Sequence, residues 1–358
     1  MNRNVEGVLS LVRPHILSLK PYQSARDHAR EGILLDANEN PFPRARGNLA
    51  LNRYPDPCQK ELRKALAEYT ETPAECLLAG TGSDEALDWI LKVFCNPGTD
   101  RIAIVEPTYG MYRVTAEIFD VRVQEFLLND DFDFDVEDFL SRVEKDVKIL
   151  FLCSPNNPTG NLLSRSAVET ALQEWNGLVV LDEAYIEFSR SESLSPLISH
   201  HPRLVVLRTF SKALGRAGAR LGYVTAQPEI IRLFMKVKAP YNLSLASQAE
   251  GLQALQETDR TRREIRELVA ERERLSAELS SIRGVARVYP SQANFILFSC
   301  VAAPRACRQL AQMGIIVRDR SSLPRLKNCL RVSVGTHEEN SIFIDALKGI
   351  LDGEGANG

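Results

Sequence analysis

Short, wholly apolar runs separated by turn residues mark the first two thirds of the chain. Residues 102–105 read Ile-Ala-Ile-Val, 150–153 read Leu-Phe-Leu-Cys, and 178–181 read Leu-Val-Val-Leu. Runs of this length without polar alternation predict strands buried on both faces, as in a parallel sheet. Between them, residues 85–94 and 164–175 repeat apolar side chains at the spacing of an amphipathic helix. Strand and helix patterns alternate from about residue 75 to 225, which predicts an α/β domain with a mostly parallel, helix-covered sheet. Helical periodicity then dominates residues 228–281. Beyond it, residues 285–289, 294–298, 315–317 and 330–334 predict short strands, with helices near 304–313 and 337–351. The pattern is that of a smaller α+β C-terminal domain, and 358 residues are ample for both. Residues 352–358 read as a disordered tail, and no repeat or low-complexity stretch interrupts the pattern. A cleft between two such domains is a favoured ligand site.

Charge narrows the partners. Lys and Arg number 44 against 47 Asp and Glu, so nothing in the balance points to nucleic acid or a membrane surface. The basic-looking stretch 260–274 also holds Glu264, Glu267, Glu271 and Glu273. With Ile265, Leu268, Val269 and Leu275 it predicts an amphipathic helix with a solvated charged face. The seven cysteines are scattered and never form C-x-x-C, and the five histidines lack ligand spacing. Reduced thiols, a cytoplasmic location and no metal site are expected. Residues 8–12 are apolar, but Arg13-Pro14 ends them too soon for a signal core. No span approaches the ~20 apolar residues that cross a bilayer.

The chemistry concentrates in two segments. Thr209-Phe210-Ser211-Lys212 runs through a glycine-containing bend to Arg220. A lysine amine forms a Schiff base with an aldehyde once its surroundings favour the neutral form. The Thr209 and Ser211 hydroxyls and the Arg220 guanidinium suit a phosphate. Pyridoxal phosphate is an aldehyde that carries one. A basic surface loop is the other reading of this segment. Upstream, Ser154-Pro155-Asn156-Asn157-Pro158-Thr159-Gly160 breaks one predicted strand, and Asp182-Glu183-Ala184-Tyr185 ends the next. Polar side chains at the carboxyl ends of parallel strands are where open α/β sheets place ligand chemistry. Asp182 there could pair with a protonated pyridine nitrogen; a helix N-cap or a turn acid is the alternative. Ser83 and Asp84 open the helix predicted at 85–94, whose first N–H groups suit an anion. Plain capping by Ser83 is compatible with that role.

In their order and spacing, Asn157, Asp182, Tyr185, Lys212 and Arg220 resemble the fold type I aminotransferases. The resemblance implies that Lys212 carries the cofactor and moves the proton, and that Asn157 and Tyr185 bond its ring oxygen. It further implies that Asp182 pairs with the ring nitrogen, that Arg220 binds the phosphate and that Tyr109 stacks on the ring. Asp36-Ala37-Asn38-Glu39-Asn40-Pro41, Asn52-Arg53-Tyr54-Pro55, Gly82-Ser83-Asp84-Glu85, Glu106-Pro107-Thr108-Tyr109 and Gly314-Ile315-Ile316-Val317-Arg318-Asp319 narrow it to the histidinol-phosphate aminotransferases. Arg216 and Ala219 depart from that family's usual residues, at positions without chemistry. The resemblance implies a homodimer in which Tyr54 enters the partner's active site. It also makes Tyr22, Asn38, Arg318 and Arg331 candidates for substrate binding, with Arg331 on an α-carboxylate. Two converging arginines would accept either a carboxylate or a phosphate ester. The implied domains are an N-terminal segment 1–35 packed with the small domain, a cofactor domain 36–240, and connecting helices with the small domain, 241–358. The expected reaction moves an amino group between L-histidinol phosphate and 2-oxoglutarate, a step of histidine biosynthesis. An aromatic aminotransferase or a threonine-phosphate decarboxylase would share the same Lys212, Asp182 and Arg220. A non-catalytic cofactor sensor would need a nucleic-acid module, for which the roughly 35 residues before Asn38 leave little room.

Overall fold

The computed structural model describes residues 7–22, 32–42, 45–46 and 49–355. A two-stranded pair, β1 (Ala45–Arg46) and β2 (Leu49–Ala50), precedes the main sheet. That sheet contains β3 (Leu77–Thr81), β4 (Arg101–Glu106), β5 (Arg122–Leu127), β6 (Val147–Cys153), β7 (Leu178–Asp182), β8 (Leu204–Thr209) and β9 (Leu221–Thr225). The order is β3-β9-β8-β7-β6-β4-β5, and only β9 runs against its neighbours. A second, wholly antiparallel sheet follows, built from β10 (Val285–Val288), β11 (Phe295–Cys300), β12 (Arg318–Asp319) and β13 (Cys329–Ser333) in the order β10-β11-β13-β12.

The apolar runs are buried on both faces because helices cover the main sheet twice. Ile102, Ile104, Phe151, Val180, Val205 and Leu207 pack to one side with the helices Asp84–Phe94 and Pro228–Val237, around Trp89 and Phe234. Their alternate neighbours Ala103, Val105, Leu150, Leu152, Val179 and Val206 face the helices Val136–Arg142 and Arg165–Glu174. With no place for a charge inside either layer, polar side chains of these strands collect at their ends. Cys153, Asp182 and Thr209 end β6, β7 and β8, and β9 begins at Leu221 on the same edge.

Four expectations are corrected. Residues 315–317 form no strand. Gly314 turns the chain with φ of +81°, and the Ile315 N–H bonds back to the Leu310 carbonyl to close the helix Ala303–Gln312. The strand starts only at Arg318. The last helix, His337–Gly355, passes through residues expected to be a disordered tail, since buried Leu347 and Leu351 anchor its final turns. Residues 7–18 of the N-terminal segment pack against the main sheet's helices rather than the small domain. Val8, Val12 and Ile16 join the Trp89–Phe234 cluster, and the Arg13 N–H donates to the Val93 carbonyl. The helix Thr258–Ser281 does not keep all its charge in solvent. Arg272 is 1% exposed and donates to the carbonyls of Phe188 and Ala293, tying the segment after β7 to the approach to β11.

A buried ion pair braces the same region. Arg208 on β8 donates to Glu187 at 2.7 Å, with Tyr69 and Tyr223 flanking the guanidinium. Removing one member of a buried pair strands the other charge, at about 3–5 kcal/mol. Arg208→Met is therefore expected to lower the denaturation midpoint of the cofactor-free protein by that equivalent. The double change Arg208→Met with Glu187→Leu is expected to restore most of it, as read by urea unfolding.

Candidate functional site

The edge where β6, β7 and β8 end opens into a pocket at the start of the helix Asp84–Phe94. Backbone shape brings its first wall together. Gly82 turns with φ of +75°, and a side chain there would collide with the Arg220 guanidinium. Gly222 lies against the Ser83 backbone so closely that a Cβ would sit 2.2 Å from its nitrogen. β9 and the helix start can therefore meet only through glycine. Ser83 makes no capping hydrogen bond, so the helix's first N–H groups open onto the pocket without a side-chain partner. Arg220 stands beside them in the left-handed region, φ +53°, a conformation unfavourable for a residue with a Cβ. Thr209 and Ser211 line the same end, and the Thr209 hydroxyl accepts from the Ser211 N–H.

The floor is Asp182, 4% exposed. Its Oδ1 accepts from the Ala184 N–H at 3.1 Å, and its Oδ2 accepts from the Tyr112 hydroxyl at 2.8 Å. Burial raises its pKa to about 6, against the pull of those two donors. Glu183 next to it faces away and accepts from the Leu194 N–H. Lys212 opens onto the pocket with its Nζ 5.7 Å from the Tyr185 ring centre. Burial, and then the nearby Arg331 charge, lower its pKa, which favours the nucleophilic neutral amine. Tyr109 lines the wall by Asp84, to which its hydroxyl donates at 3.2 Å.

The second sheet closes the remaining side. Asn157 donates to the Tyr185 hydroxyl at 3.3 Å, and its Oδ1 accepts from Arg331 on β13. Arg331 sits directly opposite Arg318 in the β12–β13 register and opposite Leu297 in the β11–β13 register. Leu297 packs with the main sheet's cluster, so this face of the small sheet looks toward the pocket. Arg320 lies two residues past Arg318 and hence on the same side, its N–H bonded to the Cys329 carbonyl. Arg318 forms no ion pair with Asp319 or Glu338, the two acids nearest it in sequence that could have claimed it; Arg320 and Arg331 each bury an Nε without a hydrogen-bond partner among the described residues.

The pocket thus gathers Ser83, Asp84, Tyr109, Asn157, Asp182, Tyr185, Thr209, Ser211, Lys212 and Arg220, with Arg331 one hydrogen bond away. Four candidates lie apart from it within one chain, among them Arg318, exposed on β12. Tyr22 is 75% exposed, Asn38 is exposed, and Tyr54 is held outside by stacking on Tyr241 at 4.4 Å. Sequence reasoning missed Cys153 and Ala184 in the lining, Tyr112 beneath Asp182, and Arg320. Only Arg320 carried a readable signal: the alternation Arg318-Asp319-Arg320 puts two arginines on one strand face.

Known proteins are similar to this chain in sequence and fold. The family model for aminotransferase class I and II matches residues 30–347. A histidinol-phosphate aminotransferase from Christiangramia forsetii is 44% identical over 346 residues, covering 96% of this chain and 97% of its own. The histidinol-phosphate aminotransferase structure from Clostridium acetobutylicum superposes with a TM-score of 0.78 at 25% identity, covering 85% of this chain and 92% of that one. One from Sinorhizobium meliloti, solved in complex with pyridoxal-5'-phosphate, gives 0.76 at 26% identity, with coverage of 85% and 84%. The chain belongs to the class I and II aminotransferases and, within them, to the histidinol-phosphate aminotransferase family.

Proposed function

We propose that this protein is a pyridoxal-phosphate-dependent histidinol-phosphate aminotransferase of the cytoplasm, working in histidine biosynthesis with 2-oxoglutarate as the amino acceptor. The observation that carries the reading is the convergence of Lys212, Asp182 and Arg220 on one sheet edge at an uncapped helix start. The residues fit the cofactor: an anion cradle at Ser83, Asp84 and Arg220, a buried carboxylate for the ring nitrogen, and a lysine with a lowered pKa. When bound, the cofactor supplies an electron sink for the substrate's α-carbon. The chain's residues do the rest. Asp182 keeps the ring nitrogen protonated by its charge. Asn157 and Tyr185, already bonded to each other, orient the ring oxygen. Tyr109 lines the wall where the ring would lie, and the Lys212 amine would take the proton from the substrate's α-carbon and deliver it to the cofactor. On this reading residues 36–240 form the cofactor domain, and 241–358 the connecting helices and the small domain.

The arginine face selects the substrate. Arg331 holds an α-carboxylate, and Arg318 and Arg320 add charge for a phosphate ester, whose near-dianion offers three acceptor oxygens. The active unit is a homodimer. Tyr54 is 49% exposed and lies off its own pocket, among exposed Ile33, Leu35, Phe42 and Leu51, a pattern expected of a residue that works in the partner's site. Comparing half-reactions with histidinol phosphate, phenylalanine, tyrosine and threonine phosphate, each followed by cofactor absorbance, tests the whole reading.

Three outcomes are expected. Borohydride reduction fixes the cofactor to the peptide holding Lys212, and Lys212→Ala retains cofactor noncovalently while losing most turnover; labelling of another lysine would remove the assignment. Mixing inactive Lys212→Ala with inactive Tyr54→Phe restores activity through heterodimers that own one intact site, measured after demonstrated subunit exchange. A charge-assisted hydrogen bond contributes about 1.5–3 kcal/mol, so Arg318→Ala lowers kcat/KM for histidinol phosphate about 10- to 150-fold. The same change penalises unphosphorylated histidinol far less, and equal losses for both donors would mean that Arg318 acts through packing alone.

A further inference from the structure

Tyr112 is 1% exposed, lies outside the pocket lining, and takes no part in the chemistry described above. Its ring belongs to the core: it stacks on Phe151 at 4.9 Å with a 13° tilt and meets Tyr109 edge-on at 5.5 Å. Phenylalanine would fill that space equally well. The hydroxyl therefore needs a separate account, since burying it costs free energy unless it is bonded. Among the described residues, the hydrogen bond it donates goes to Asp182 Oδ2, at 2.8 Å. Asp182 Oδ1 is held by the Ala184 N–H at 3.1 Å. Each carboxylate oxygen thus has one fixed donor and spare accepting capacity, and Asp182 lines the pocket.

We propose that Tyr112 is a positioning residue for Asp182: its hydroxyl fixes how the carboxylate faces the pocket, and through that contact sets how tightly the cofactor's ring nitrogen is held. This rests on the reading of Asp182 as the partner of that nitrogen. The groups around Asp182 show why a neutral donor is needed there. Asp84 at the helix start opposes its charge and Lys212 favours it, while the Asp182 charge in turn raises the pKa of Cys153 on β6, Tyr109 in the loop after β4 and Tyr185 in the segment after β7, which keeps those three groups neutral. Of these surroundings, only Tyr112 and the Ala184 N–H offset the cost of burial by hydrogen bonding. The backbone N–H is part of the turn and cannot be tuned by sequence; the tyrosine can.

Loss of the donor makes the Asp182 carboxyl harder to ionise. Its pKa in the cofactor-free protein is already raised to about 6, so it is charged above that pH and neutral below. Cofactor affinity in the wild-type protein is expected to fall as pH drops through about 6. In Tyr112→Phe the midpoint of that fall is expected to move upward by about one unit, so that the dissociation constant rises about twofold at pH 7 and approaches a tenfold rise below pH 6. The experiment titrates cofactor-free protein with pyridoxal phosphate between pH 5 and 9, for wild type, Tyr112→Phe, Asp182→Asn and the double variant. Adding Tyr112→Phe to Asp182→Asn is expected to change neither the constant nor its pH profile, because the contact it removes is already altered. Thermal unfolding of the same cofactor-free proteins separates packing from positioning. An unchanged dissociation constant and midpoint in Tyr112→Phe, whatever its melting temperature, would overturn the proposal. So would an equal loss on both the wild-type and Asp182→Asn backgrounds. A wild-type protein that takes up no pyridoxal phosphate would overturn the functional reading itself, and this inference with it.

Discussion

Asp182 is a carboxylate at the end of the central strand of a sheet whose two faces are filled with apolar side chains. Burying such a charge costs several kcal/mol unless donors surround it. Much of the pocket's arrangement answers that cost. The turn after β7 offers the Ala184 N–H, and the helix after β4 offers Tyr112. The carboxylate still pays with a raised pKa, so the charge is held but not saturated. A carboxylate in that condition gains from a cationic ring nitrogen, which a solvated one would not.

The second sheet meets this centre with the opposite charge. The register of β12 with β13 sets Arg318 beside Arg331, and Arg320 follows on the same side. Like charges at that spacing repel, and burial lowers the pKa of both Arg320 and Arg331. Arg331 finds a neutral acceptor in Asn157 and rests 5.1 Å from the centre of the Phe295 ring. Among the described residues, a buried guanidinium nitrogen on each of Arg320 and Arg331 remains without a partner. An anion of high charge relieves that repulsion, which is the physical case for a phosphate ester at this face and not a carboxylate alone.

The parts of this arrangement that were legible in sequence are the local ones. Turn residues such as Asn157, and polar residues ending apolar runs such as Asp182 and Thr209, announce themselves because strand burial forbids them elsewhere. Tyr112 did not, since a tyrosine at helical spacing reads as core, and its ring indeed is core; only the partner of its hydroxyl distinguishes it. Arg272 sat in a run of alternating charge that looked solvated, and its burial depends on carbonyls 84 and 21 residues away. The displaced strand at 315–317 shows the same limit, because a glycine turn and a helix-closing bond overrode a three-residue apolar pattern. The exposed Tyr54 is a different case: its place in one chain says where it is kept away from, and the role proposed for it depends on a second chain.

Asn157 gives the two halves of the site a shared part. Its amide nitrogen donates to Tyr185 on the main-sheet side, while its oxygen accepts from Arg331 on the small sheet. The amide can serve both only in one orientation, so Arg331 fixes which end of Asn157 faces Tyr185. On the proposed reading, the arginine that grips a substrate anion also holds the residue that orients the cofactor's ring oxygen. Substrate recognition and cofactor alignment are therefore coupled through two hydrogen bonds, and a change at Arg331 cannot act on the substrate alone. On the same reading Arg318, which has no such link among the described residues, is free to set the preference for one anion over another without disturbing the ring, whereas Arg320 also feels Tyr185.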